Sequence, residues 1–240
     1  MTDHISRKEL KHDKIKETLE HGAEAVYSHG QMAAIIVLAA LIATAAYGGW
    51  RIYHDRKTAE ANAALDVAMK AYSGHTGAST TPVDPSEPSY PDDTARAQDA
   101  ANKFDAVANK YSGTTPGKLA RYYHALCLED LEQRNQALEE LKKIGSSGDK
   151  EIAALAQYQM AVIYSRTGKT DDAIKIYRNL ADKSALFVPR PLALLELAAA
   201  LRQSNPKESM TLYQQVKKEF PDTAMAEEAD RALGSISPKS

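Results

Sequence analysis

Hydrophobic and polar positions follow two rules along this chain. From Met32 to Trp50, 19 apolar, small or polar residues pass without a formal charge. Downstream, apolar residues recur at intervals of three and four, the pattern of helices that bury one face. No stretch alternates apolar and polar residues as a half-buried strand would. Ala is frequent and Gly scarce, which adds helix propensity. The pattern therefore predicts an all-α chain with one region set apart.

As a helix, the uncharged run reaches roughly 28 Å, against a hydrocarbon thickness of about 30 Å. It ends in Tyr47, Trp50 and Tyr53, side chains suited to a water–lipid interface. Arg51, Arg56 and Lys57 follow and suit the headgroups. Tyr47, Trp50, Arg51 and Tyr53 are thus the expected interface anchors. Ala43-Thr44-Ala45 fits a cleavage site, but the 31 residues before the run carry six Asp or Glu. A signal peptide has a short basic lead and an apolar core of about 7–15 residues. The expectation is a permanent transmembrane helix over 32–50, after a polar tail over 1–31. The tail bears a weak apolar stripe of Ile15, Leu19, Ala23 and Val26. Its histidines (His4, His12, His21, His29) do not fall on adjacent turns as ligands would. Near the run, Lys14 and Lys16 precede it, while Arg51, Arg56, Lys57 and Lys70 follow. Read locally, the positive-inside rule leans toward a cytoplasmic C-terminal domain.

Beyond the run, five columns repeat. Ala100, Ala137, Ala173 and Ser209 step by 37, 36 and 36. Phe104, Leu141, Tyr177 and Tyr213 keep the same steps, as do Val107, Ile144, Leu180 and Val216. Ala125, Ala161 and Ala198 step by 36 and 37, matched by Leu128, Tyr164 and Leu201. A small residue in each of two helices permits close approach, and a large one four positions on fills the space beside it. Hairpins built this way leave apolar surface that only stacking covers, so the prediction is a solenoid. Hairpins are expected at 117–144, 150–182 and 190–219, with a polar-faced capping helix from about Asp222. In "MAVIYSRTGKTDDAIKIYRNL" the first helix should end at Arg166, turn over Thr167-Gly168-Lys169, and restart with Thr170 as N-cap. A fourth hairpin is split. Its first helix continues from the apolar run with Ala59, Ala63 and Val67 on one side. Its second lies in "ARAQDAANKFDAVANKY". Between them, over 73–93, Pro82, Pro85, Pro88 and Pro91 favour an extended polyproline segment, expected to be a mobile loop, the alternative being an arm that presents Val83 or Tyr90 to a partner. The repeat domain is expected over 51–234, with a disordered end over 235–240.

These residues resemble the tetratricopeptide repeat, Tyr164, Gly168, Ala173, Tyr177 and Pro221 being the best matches. With Gly48-Gly49-Trp50-Arg51-x-Tyr53 running into "RKTAEANAAL", the whole resembles the ancillary SecYEG translocon subunit (YfgM-like) family of membrane-anchored repeat proteins. That resemblance implies a single-pass bacterial inner-membrane protein with a cytoplasmic N-terminus and periplasmic repeats. It also implies partners in the SecYEG translocon and periplasmic chaperones. The last repeat, "LYQQVKKEFPDTAMAEEADRAL", is similar to repeats of envelope-assembly and cell-division coordinators, the alternative reading.

Net charge of −2 argues against nucleic acid as a partner. The single cysteine, Cys127, allows no internal disulfide or thiolate metal site. GxSxG, HExxH, Walker and GxGxxG motifs are absent. Cys127 follows His124 by three residues but lacks an orienting third group. Glu129-Asp130 is expected to face solvent, and Asp171-Asp172 to offset a helix dipole. No enzyme, cofactor, metal or small-molecule substrate is expected. The first helix of each hairpin should instead line a protein-binding groove through Tyr122, Leu126, Tyr158, Val162, Leu195 and Ala199. Aromatic and aliphatic residues there suit a partner helix or an unfolded apolar segment.

Overall fold

A computed structural model describes residues 30–77 and 87–236. The tail features, Val83, Pro82 and Pro85 lie outside the described residues. The chain divides into two compact units, Met1–Arg56 and Lys57–Ser240. Helix α1 (Gly30–Tyr72) contributes to both. In the first unit Ile35, Ile36, Val37, Leu38, Leu41 and Ile42 are all exposed. No surface of the described residues covers them, and α1 is long and apolar enough to cross a membrane.

The second unit is a helical repeat domain. After two short strands, β1 (His75–Thr76) and β2 (Ser89–Tyr90), come α2 (Asp93–Lys110), α3 (Thr115–Asp130) and α4 (Arg134–Gly145). They are followed by α5 (Lys150–Arg166), α6 (Thr170–Asp182), α7 (Arg190–Leu201), α8 (Pro206–Glu219) and α9 (Ala224–Ile236). From α2 onward each helix packs on the next, and α3 also meets α5, as α7 meets α9. Hairpins α3–α4, α5–α6 and α7–α8 coincide with the predicted ones. The split hairpin pairs the end of α1 with α2, and α9 caps the stack. Helix α9 runs to Ile236, so ordered structure passes the expected limit at residue 234.

The repeat columns are the core. Ala100, Ala137, Ala173, Ser209, Ala161 and Ala198 are wholly buried, and Phe104, Leu141, Tyr177 and Tyr213 nearly so. Within a hairpin the two small columns face each other. The third hairpin gives the reason Ser can replace Ala: Ser209 Oγ donates to the Ala198 carbonyl at 2.7 Å. A hydroxyl that would otherwise be a buried orphan is satisfied by the helix it touches.

Two joints share a pattern that the periodicity did not reveal. Thr114 Oγ1 donates to the Tyr111 carbonyl (2.8 Å) and accepts from the Gly117 N–H (3.2 Å). Thr223 does the same with Phe220 (2.8 Å) and Ala226 (3.2 Å). An aromatic residue three positions before a capping threonine thus starts both α3 and α9. Thr223 is the reason the last helix begins at Ala224 rather than at Asp222. Gly117 is required at the first joint, because a Cβ there would collide with the Tyr111 backbone.

Other expectations need correction. Helix α6 does start at Thr170, but Lys169 is the residue before it and no side chain caps its N–H groups. In the split hairpin Ala59, Ala63 and Val67 lie on the exposed side of α1. Ala61, Ala68 and Ala71 are buried instead, against Ala100, Phe104 and Ala120. Nor is the described part of the insertion a free polyproline arm. β1 and β2 pair in parallel, His75 with Ser89 and Thr76 with Tyr90. Tyr90 is half-buried and donates to Asp99 at 2.5 Å, with Lys103 on the same carboxylate. The tyrosine that such an arm could have presented closes the neck of the insertion instead.

Candidate functional site

Helices α3, α5 and α7 are the first helices of successive hairpins, and three clefts lie along them. The largest, about 1270 Å³, lies among α5, α6 and α7. Tyr158, Val162 and Ala199 line it together, as predicted for a shared face. Leu195 lines a smaller adjoining cleft of about 370 Å³ with Ala199 and Tyr213. Leu126 lines a third cleft of about 660 Å³ between α3 and α5. Tyr122 lines none of these three. It packs edge-on to Tyr123 and against the core of α3, α4 and α5. The structure thus brings Tyr158, Val162 and Ala199 to one cleft, with Leu195 and Leu126 at the clefts that adjoin it.

Neither principal cleft is simply apolar. Glu196 borders both the larger cleft and its neighbour. Its Oε1 accepts from the Tyr158 hydroxyl at 3.1 Å. The Tyr158 ring lies 6.1 Å from that of Tyr177. Burial, then the Glu196 charge, raises the Tyr158 pKa and pushes that of Tyr177 up to about 12. Both stay neutral hydroxyls at physiological pH. Asp171, Arg166, Arg202, Gln203 and Ser204 are among the other polar residues that line it. A signal for Glu196 was present in the sequence: it is the only charge between Pro191 and Leu201.

In the cleft between α3 and α5, Glu129 does not face solvent as expected. It is half-buried, accepting from Gln159 at 2.7 Å and from Arg166 at 3.0 Å. These bonds tie α3 to α5. Asp130, Glu132 and Arg134 stand at the same cleft.

Cys127 is completely buried, and burial pushes its thiol up to about 12. A nucleophilic cysteine needs the opposite shift. Burial lowers the pKa of neighbouring His124, and its Nδ1 has no hydrogen-bond partner among the described residues. Among the described residues no group of three or more His, Cys, Asp or Glu is placed to hold a metal.

At the other unit, Tyr47, Trp50 and Tyr53 are each more than half exposed. The Tyr47 and Trp50 rings lie 6.1 Å apart, and Arg51 sits 3.9 Å from Asp55 on the next turn. The apolar part of α1 thus ends in exposed aromatic residues, followed by the exposed Arg51 and Arg56.

A family model described as a tetratricopeptide repeat-like domain matches residues 27–186. A tetratricopeptide repeat model matches residues 192–223. No curated protein and no solved structure matches the chain.

Proposed function

Because this chain belongs to the tetratricopeptide repeat-like domain family, we propose that it is a membrane-anchored, non-enzymatic scaffold that binds partner proteins through the first-helix face of its repeats. The observation that carries this reading is the extent of the family match. It begins at residue 27, takes in the whole uncharged run, and continues into the repeats. A removable export signal would not belong to the folded domain. Exposure of the apolar residues on α1 supports the same reading. We place the N-terminus in the cytoplasm and the repeats on the periplasmic side of a bacterial inner membrane. Its partners there are the SecYEG translocon and the chaperones that receive its clients.

Protease protection on spheroplasts tests the topology: repeats cleaved before lysis are periplasmic, and repeats cleaved only after lysis are cytoplasmic. Crosslinking of intact membranes followed by purification tests the partners. Recovery of translocon or chaperone subunits supports the secretion role. Recovery of cell-wall or division proteins instead makes the chain a coordinator of envelope assembly.

A further inference from the structure

We infer that the larger cleft receives a basic side chain, Lys or Arg, carried by a segment of a partner protein, with the Glu196 carboxylate as counter-ion. This rests on the reading of the first-helix face as a protein-binding surface, and it adds the chemistry of what binds.

Glu196 stands alone in an apolar stretch of α7. It is half-buried, and among the described residues its side chain accepts one hydrogen bond, from Tyr158. No ion pair reaches it within 4.0 Å among the described residues. A carboxylate has about four lone-pair positions, so most of its capacity is open toward the cleft. Withdrawing a carboxylate from water without a cation is unfavourable, and a docking ammonium or guanidinium offsets that cost. The tyrosine-rich wall adds to the preference, since aromatic faces attract cations.

The other charges fit. Asp171, exposed in the first turn of α6, adds a second carboxylate with no ion pair among the described residues. Arg166 is held by Glu129 in the neighbouring cleft. That leaves Arg202, which reaches Ser235 Oγ at 3.4 Å. The volume of about 1270 Å³ exceeds that of ordinary small-molecule pockets, roughly 300–1000 Å³. A peptide segment bearing the cation fills it better than a lone metabolite.

The test uses the full chain in detergent micelles and fluorescence anisotropy with a short labelled Ala/Leu peptide bearing Lys, Gln or Glu at the same positions. The Lys peptide should bind most tightly. Glu196→Gln should weaken it roughly tenfold, about 1.4 kcal/mol, and leave the Gln peptide unaffected. Glutamine keeps an acceptor for Tyr158, so an unchanged melting curve verifies the fold. Arg202→Ala should tighten the Lys peptide; a Glu peptide that binds more tightly than the Lys peptide, and is loosened by Arg202→Ala, overturns the inference. Equal binding of the Lys and Gln peptides, no binding of the Lys peptide, or no effect of Glu196→Gln overturns the inference. A photocrosslinker at Val162 separates the two levels. Partner crosslinks that survive Glu196→Gln leave the scaffold reading standing and remove the charge recognition. Absence of any crosslink at Val162 removes both.

Discussion

Between α3 and α5 the charges close on one another; between α5 and α7 they stay open. Repeat spacing makes the two places comparable. Residues 129, 165 and 202 follow one column, and residues 123, 159 and 196 another. In the first cleft the pair is Glu129 with Gln159, hydrogen-bonded at 2.7 Å and reinforced by Arg166. In the second the equivalent residues are Ser165 and Glu196. The carboxylate has moved to the opposite helix and lost its amide partner. The first arrangement joins two hairpins; the second leaves a charge for something else. Two clefts on one repeating scaffold thus differ in role through two positions, while the buried columns hold the backbone alike.

The largest effect should come from removing the support of the open cleft. Tyr177→Ala deletes a nearly fully buried ring beside Tyr158. It should cost about 3–5 kcal/mol in urea denaturation of the full chain in micelles, as large-to-small core changes do. Tyr158→Phe, which loses only the bond to Glu196, should cost about 1 kcal/mol. Equal costs would mean that the ring pair does not support the cleft.

Next in size is the closed cleft. Glu129→Ala leaves Gln159 and Arg166 without their acceptor and should lower stability by about 1–3 kcal/mol. It also frees Arg166, which borders the larger cleft, so a Lys-bearing peptide should bind more weakly. A stability change below a few tenths of a kcal/mol would show that the α3–α5 tie is incidental.

A smaller effect concerns the turns. Gly168, between α5 and α6, has φ +77°, and Glu132, between α3 and α4, has φ +60°. The same left-handed turn is thus made once with the residue that suits it and once without. Glu132→Gly should stabilise by about 0.5–1 kcal/mol, and Gly168→Ala should destabilise by a similar amount. Midpoints of chemical denaturation decide the sign.

The smallest effect is a pH dependence near α3. Burial lowers the His124 pKa from its ordinary 6.5. Below pH 6.5 the unfolded chain therefore binds more protons at this site than the folded one. The His124 contribution is fully present above pH 6.5 and is lost as pH falls toward the folded pKa. His124→Gln should flatten stability over that window in melts at stepped pH. Cys127, a buried thiol, should react with iodoacetamide only when denaturant opens the domain. Labelling at the unfolded rate without denaturant would contradict its burial.

Much of the fold was legible because close helix packing restricts size at fixed intervals. Ala137, Ala173 and Ser209 had to be small, and Leu141, Tyr177 and Tyr213 had to fill the same space, so volume alone printed the period. The site was legible only in part. Tyr158, Val162 and Ala199 share a cleft because α5 and α7 are neighbouring first helices. Tyr122 turned inward because Tyr123 and the adjoining core offered it a partner. Tyr90 went to Asp99 because a half-buried phenol finds an acceptor where it can. Glu196 left a trace, a lone charge in an apolar run, but charge alone does not say whether a cation waits opposite.

The sequence by itself determined the helices, their hairpin pairing, the repeat spacing and the uncharged segment, each of which depends on residue size and polarity at local intervals. Tertiary structure alone decided which cleft each first-helix residue joins, that Glu129 has an ion-pair partner while Glu196 has none among the described residues, and that the insertion is clipped at its neck. Those outcomes depend on distances between residues from about 12 to 38 positions apart. Linear periodicity carries no information about which of several suitable partners a side chain meets.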